Sequence, residues 1–476
     1  VQFGRLTRKA LALGLGRGFA VVAQFAINLL LVRWWTPEEF GQFHQVRAVL
    51  AVAALLDLGL PVGLLQAASG MEGERRDELF RRGVSLAMVA GFLTGVAFAL
   101  AGLVVEDAAV AASLPFAGLL IAATIPAAAL ESVLVVRERH VRASVIGGGA
   151  AVAGFIASAL VLLWHPTLSA VYACLAAAAI GRLAALFAQS GIAWRTRSIR
   201  HLVRLWGGGI WPLVRMSLAV SANRLLGMAS AAVDRNVVAA LFSAATLGWY
   251  VTGAWEVPFM AVFFGAITSA VLPEMSEHWA AGRRRDFLAV WQGAVARAAW
   301  IVFPIWLWSW VWAPELLRVL FTAQYEDGLP VFRVYLLMLP LRVAIYSALL
   351  VAMNEARLLL WGSVLDFAVN LGVSVALGYT IGPLGPAIAT TLGTYLQVVF
   401  YLVVLRRRLG ISTIGLLPWG DLARAAVASA VAVVPTLIAR WWIESDFVRI
   451  GLTFALTACV VGVVLFRAFG SVPLKR

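Results

Sequence analysis

Apolar runs of roughly 20 residues recur along the chain between short polar connections, the length at which a helix rising ~1.5 Å per residue crosses a ~30 Å hydrocarbon layer. Counted in windows of about 19 residues, they predict fourteen transmembrane helices. These lie near 10–32, 44–68, 84–105, 108–135, 144–163, 168–192 and 211–240, then 249–272, 288–312, 331–353, 358–380, 384–405, 422–440 and 447–467. The connections are all short, about 18 residues at most. Most membrane glycosyltransferases and polymerases hold donor and acceptor on a sizeable extramembrane domain, which these connections do not supply. The prediction is an all-α polytopic membrane protein that is not an enzyme.

The charges of alternate connections check the helix count. Arg75, Arg76, Arg81 and Arg82, then Arg137, Arg139 and Arg142, then Arg195, Arg197, Arg200 and Arg204 fall on one side. Arg283 to Arg285, Arg357 and Arg406 to Arg408 follow on the same side, with both termini. The other side holds Glu38 with Glu39, Glu106 with Asp107, His165, Glu315 with Arg318, Glu326 with Asp327, and Glu444 with Asp446. One miscounted helix would scramble this division, so both termini are placed in the cytoplasm. Arg5, Arg8 and Lys9 ahead of the first run resemble a signal peptide, but that run reaches Leu31 and is predicted to stay as an uncleaved helix.

Composition narrows the class further. Hydrophobic residues make up 62% and charged residues 13%, with a net charge of +14. A basic chain raises nucleic acid as a partner, but here the arginines cluster in loops between apolar segments, as orientation signals do. The lipid bilayer is the expected partner and nucleic acid is not. Cys174 and Cys459 lie in separate apolar runs and suggest neither a disulfide nor a zinc site, and the five histidines have no metal-ligand spacing. No metal and no cofactor are expected. Gly14 and Gly18 flank Arg17 inside an apolar run and are predicted as a helix-packing contact rather than a phosphate loop. Trp306, Trp308, Trp310 and Trp312 read as an interfacial aromatic belt.

Weak internal symmetry is also present. Phe40-Gly41-Gln42-Phe43 matches Leu247-Gly248-Trp249-Tyr250 at an offset of 207, which also brings Arg17 onto Arg224. Ser132 to Val136 matches Ser347 to Val351 at an offset of 215. These matches predict two pseudo-symmetric six-helix lobes, 1–192 and 209–408, joined by a cytoplasmic amphipathic linker at 193–208 and followed by two further helices in 409–476. Duplicated lobes place a substrate site near the bilayer midplane.

Charges inside the hydrocarbon cost at least ~2.5–3.5 kcal/mol each, so those that persist face protein or a watery cavity. Arg17 and Arg224 are the candidates for an anionic headgroup, with Arg215 and Arg342 added, because a guanidinium stays ionised and binds phosphate through paired hydrogen bonds. The opposing reading pairs each arginine with an intramembrane acid. Asp57, Asp366 and Glu131 are candidates for Na⁺ or H⁺ coupling or for counter-ions. Glu256 and Asp234 suit gate or salt-bridge roles, and Arg47, Arg182 and Arg297 are predicted to snorkel outward.

Trp35-Thr-Pro-Glu-Glu-Phe-Gly-Gln-Phe43 followed by Leu56-Asp-Leu-Gly-Leu60 resembles the start of the Wzx-like oligosaccharide flippases. These belong to the multidrug/oligosaccharidyl-lipid/polysaccharide (MOP) exporter superfamily. Asp234 to Tyr250, Leu317 to Tyr325 and Gly382 to Ala389 agree with it, and the similarity runs along nearly the whole chain. The resemblance implies alternating-access transport of a polyprenyl-pyrophosphate-linked glycan from the inner to the outer leaflet of a bacterial cytoplasmic membrane, for polysaccharide biosynthesis. Of the cavity residues, it extends to Arg17 and, through the repeat, Arg224. It further implies a monomer working beside other polysaccharide-assembly membrane proteins, with a Na⁺ or H⁺ gradient as energy source. The competing readings are a cation-coupled multidrug or metabolite antiporter of the related MATE family, which needs acids rather than arginines in its cavity, and a membrane-embedded enzyme of the same glycan pathway. A non-transporting scaffold would leave the buried charges unexplained.

Overall fold

The computed structural model describes residues 22–192, 210–255 and 260–469. Arg17, Glu256 and the predicted linker at 193–208 lie outside them. Among the described residues the secondary structure is helical throughout, and twelve helices are long and apolar enough to cross a membrane. Two predicted segments are not among the twelve. Of 10–32, the described part is Val22–Trp34, and 249–272 is divided between two helices.

The chain forms two compact units, one of Val1–Ala232 with Ser243–Gly248, the other of Val233–Phe242 with Trp249–Arg476. In the first unit run α1 (Val22–Trp34), α2 (Pro37–Ala53), α3 (Leu60–Ala67), α4 (Gly73–Ala101), α5 (Ala108–Val136), α6 (His140–Leu162) and α7 (Leu168–Ser190). The helix α8 (Ile210–Leu241) begins there, as does α9 (Ala244–Gly253). α5 is the centre of this unit and packs on α2, α3, α4, α6 and α7.

Local chemistry explains where α2 starts. The prediction began it near 44, but Thr36 caps it: its hydroxyl accepts from the Glu39 amide at 3.3 Å while the Glu39 carboxylate accepts from the Thr36 amide at 2.9 Å. Pro37 at the first position and two acids in the first turn suit a helix N-terminus. The acids that seemed to exclude the segment from the helix are what begin it. The same span, Pro37–Ala67, is broken near its middle. α2 gives way to a 3₁₀ turn at Ala54–Asp57, Leu58 and Gly59 both take left-handed backbone (φ 53° and 69°), and α3 follows. The residue at 58 bears a side chain, so the surrounding packing must hold this conformation.

Two of the segments matched in the sequence also meet in the structure. α2 starts at Pro37 and α9 at Ala244, again 207 apart. A Cβ on Gly41 would come within 1.7 Å of the Ala244 carbonyl oxygen, and a Cβ on Gly248 within 2.0 Å of the Pro37 carbonyl oxygen. Each glycine thus packs on the residue that starts the repeat-related helix, a reciprocal contact of the kind two-fold symmetry generates.

The second unit holds α10 (Met260–Ala280), α11 (Arg284–Val311), α12 (Ala313–Phe321), α13 (Leu329–Leu336), α14 (Tyr346–Ala352), α15 (Ala356–Ile381), α16 (Leu384–Leu409), α17 (Trp419–Val433) and α18 (Asp446–Phe469). The predicted 331–353 helix is interrupted at Ile345, which is left-handed at φ 42°. Phe287, Trp291, Leu349, Tyr401 and Leu405 anchor the core. The aromatic-belt expectation fails for two of its four tryptophans. Trp308 and Trp312 are buried, and their indoles donate to Thr453 in α18 and Thr436 just after α17, both at 3.1 Å. Ion pairs extend this junction, from Arg440 to Glu315 at 3.0 Å and from Arg318 to Asp446 at 2.8 Å. The last two spans are therefore bonded into the unit.

Gly41→Ala and Gly248→Ala are expected to lower the stability of the detergent-solubilised protein by about 2–3 kcal/mol or more each, since overpacking against backbone has no side chain to yield. Gly372→Ala in α15, where a Cβ meets nothing within 4 Å, should leave the melting temperature unchanged. Equal melting temperatures for all three variants would contradict the reciprocal contact.

Candidate cavity and intramembrane charges

A cavity of about 530 Å³ opens inside the first unit, lined by α1, α2, α5, α6 and α7. Small side chains make it. Gly147, Gly148, Ala150, Ala151 and Gly154 on α6 face Ala178 and Ala179 on α7, so the helices leave volume that larger residues would fill. Its polar lining consists of Gln24, Arg47, Thr124, Glu131, Ser144 and Arg182, beside Tyr172. The Tyr172 hydroxyl donates to the Phe43 carbonyl at 2.8 Å, and the Arg47 guanidinium lies 5.6 Å from the centre of the Phe43 ring, within cation–π range. Arg182 pairs with Glu131 at 2.5 Å. Among the described lining residues, two arginines against one carboxylate give a formal charge of +1.

Arg47 and Arg182 thus border the cavity, where the prediction had them snorkelling to the surface. The glycine- and alanine-rich faces of α6 and α7 leave the volume beside them. That run of small residues, Gly147 to Ala151, was the available signal.

Arg224 sits ~21 Å into α8 at 1.5 Å per residue, near the middle of the helix. There it meets Asp57 at the break between α2 and α3. One guanidinium nitrogen, Nη2, donates to both carboxylate oxygens, at 3.2 and 3.0 Å, and Asp57 Oδ1 also accepts from the Gly59 amide at 2.7 Å. The Ser221 hydroxyl donates to the Gly59 carbonyl at 3.2 Å, a second tie between α8 and the break. Ala54, first residue of the 3₁₀ turn that ends at Asp57, lines the cavity.

The other candidates lie elsewhere. Arg215 is exposed on α8. Arg342, half-buried, borders a small crevice with Trp255, Met260 and Tyr335 in the second unit. Asp366 on α15 lies beside Gly393, where a Cβ would come within 2.9 Å of its Oδ1. Asp234 is buried and accepts from the phenols of Tyr250, at 3.0 Å, and Tyr335. Among the described residues, no group of three or more His, Cys, Asp or Glu side chains could hold a metal ion.

These features define a multi-pass membrane protein with a cationic cavity inside one helical unit. The model of the polysaccharide biosynthesis protein family matches residues 6–279, more than half of the chain, and the chain belongs to that family. No curated protein matches it in sequence. Among solved structures, the lipid II flippase MurJ in an inward closed conformation is similar at a TM-score of 0.71 and 14% identity, covering 96% of this chain and 99% of its own. An inward-facing multidrug resistance MATE transporter of the MOP superfamily is similar at 0.63 and 16% identity, covering 82% and 94%. A MOP transporter from Pyrococcus furiosus, described as having a binding pocket of reversed polarity, is similar at 0.56 and 16% identity, covering 84% and 95%. The chain shares the fold of these transporters.

The Arg182–Glu131 pair can be weighed by a double-mutant cycle on thermal stability. Side-chain exposures of 25% and 32% put its coupling at about 1–2 kcal/mol, below the ~3–5 kcal/mol cost of breaking a fully buried pair. Arg182→Ala should therefore destabilise more than Arg182→Ala with Glu131→Gln. Additive effects would show that the two side chains do not interact.

Proposed function

We propose that the protein is a flippase for polyprenyl-pyrophosphate-linked oligosaccharide, carrying its headgroup from the cytoplasmic to the outer leaflet of a bacterial cytoplasmic membrane for polysaccharide assembly. The observation that carries this reading is the net cationic cavity lined by Arg47 and Arg182. A pyrophosphate crossing hydrocarbon must exchange its water for other donors, and guanidinium groups supply charge-assisted hydrogen bonds without losing their own charge. The cavity volume falls in the ligand-sized range of ~300–1,000 Å³, which suits a headgroup with its first sugars while the polyprenyl tail stays in lipid. Family membership supports the glycan part of the reading.

The MOP fold alone does not decide the sign of the cargo, since the fold includes multidrug transporters and a transporter described by reversed pocket polarity. Among the described residues that line the cavity, the one carboxylate, Glu131, is engaged by Arg182. That disfavours a cationic drug as cargo. Both termini face the cytoplasm in this reading, the monomer is the working unit, and a Na⁺ or H⁺ gradient drives turnover; Asp366→Asn tested across both gradients addresses the coupling.

In cells that depend on the protein for glycan export, Arg47→Ala, and Arg182→Ala combined with Glu131→Gln, should each lower export by about 10–100-fold. That corresponds to losing a hydrogen bond to a charged group worth ~1.5–3 kcal/mol. Lys at either position should restore it in part. Arg17→Ala belongs in the same series on the strength of the sequence repeat. Full export by both cavity variants at normal membrane levels would overturn the proposal, and export of a cationic dye instead would favour an antiporter.

A further inference from the structure

The Asp57–Arg224 pair lies in the same unit as the cavity but is built differently from a permanent salt bridge. An arginine–carboxylate pair at full strength is fork on fork, with two guanidinium nitrogens on two oxygens. Here one nitrogen, Nη2, straddles both oxygens. The rest of the guanidinium is poorly used: among the described residues, Nη1 reaches only the Met228 thioether at 3.3 Å, a weak acceptor, and the buried Nε has no hydrogen-bond partner. Exposure is uneven too. The Arg224 side chain is 38% exposed and that of Asp57 only 11%, so the arginine presents an open side and the acid does not. Asp57 has another donor in the Gly59 amide, and it keeps that bond if the arginine turns away.

Resting on the flippase reading above, we infer that Asp57 is an internal stand-in for the substrate's phosphate: Arg224 exchanges this carboxylate for a phosphate of the headgroup, which takes Nη2 from Asp57 and pairs it with a neighbouring donor, Nη1 or Nε, that Asp57 leaves unfilled. A phosphate offers tetrahedral oxygens that can engage a two-nitrogen edge of the guanidinium, geometry that the one-nitrogen contact with Asp57 does not use. The exchange also loosens the break. Arg224 and Ser221 both bind it from α8, at Asp57 and at the Gly59 carbonyl, and the same 3₁₀ turn borders the cavity at Ala54. Releasing Asp57 removes one of the two ties that hold α2 and α3 at their left-handed junction. Headgroup binding is thereby linked to a change in this span.

The test is binding to the purified full chain in nanodiscs, with farnesyl pyrophosphate as a lipid headgroup probe and inorganic pyrophosphate as the free anion. Asp57→Asn is close in shape and can still accept from the Gly59 amide, yet competes less for the arginine. It should bind farnesyl pyrophosphate about tenfold more tightly than wild type, the scale of one charge-assisted contact. Arg224→Ala should abolish that gain in the double variant, and Arg224→Lys should keep part of it. A gain seen equally with inorganic pyrophosphate assigns the site to the phosphate groups; a gain confined to the farnesyl probe assigns it to the lipid-linked form. Melting curves confirm that each variant is folded, and if Asp57→Asn is not, Asp57→Glu with its displaced carboxylate replaces it. Unchanged or weaker binding by the folded Asp57 variant, while wild type binds the probe and Arg47→Ala does not, overturns the exchange and leaves the flippase reading standing. No binding of either probe by any variant overturns both.

Discussion

An ion pair inside hydrocarbon organises the first unit of this protein. A lone guanidinium at the depth of Arg224 would be costly, and so would a lone carboxylate at Asp57. Each makes the other tolerable, and the pair dictates local backbone. For Asp57 to face α8, the span must leave regular helix, so a 3₁₀ turn and two left-handed residues interrupt it where the acid sits. The freed Gly59 amide and carbonyl are satisfied by Asp57 and Ser221, as non-helical backbone at membrane depth requires. Close approach completes the arrangement: a Cβ on Gly63 would fall within 1.8 Å of the Ser217 hydroxyl, so α3 and α8 pack nearly backbone to backbone.

The motifs that carried the family resemblance acquire physical roles. Thr36, Pro37 and Glu39 start α2, and Gly41 lets it meet the start of α9. The Gly of Leu247-Gly248-Trp249-Tyr250 makes the reciprocal contact, and its Tyr hydroxyl donates to buried Asp234. These residues set helix starts and contact distances, which explains how the pattern can mark a fold while saying little about cargo.

Much of the architecture was legible from hydropathy and loop charge, because spanning helices answer to one dominant force and a fixed length. The departures arise where a side chain overrules that average. Leu56 to Leu60 reads as uninterrupted apolar helix, yet Asp57 breaks it, and neither the break nor its partner 167 residues away leaves a periodic trace. The site was legible in part. The possibility that Arg224 answers an intramembrane acid could be seen, and Asp57 was among the acids named. The placement of Arg47 and Arg182 was not, since the volume beside them comes from the packing of two other helices. Trp308 and Trp312 looked interfacial because tryptophans favour that zone; their burial depends on Thr453 and Thr436, residues without any distinctive signal of their own.

On the flippase reading proposed above, the pairing of the intramembrane charges also bears on how the protein turns over. An empty cavity lined by unpartnered arginines would hold a pyrophosphate so tightly that release at the far leaflet would limit transport. With Arg182 on Glu131 at the cavity and Arg224 on Asp57 at the break beside it, the resting state in that reading is already stabilised, and a substrate gains only the difference between its own contacts and those it displaces. Lower affinity is the consequence, and reversibility follows from it. The carboxylates that offset the arginines in the resting protein are then also the groups that reclaim them when the headgroup departs, so one set of ion pairs serves both to keep the charges in the membrane and to let the cargo go.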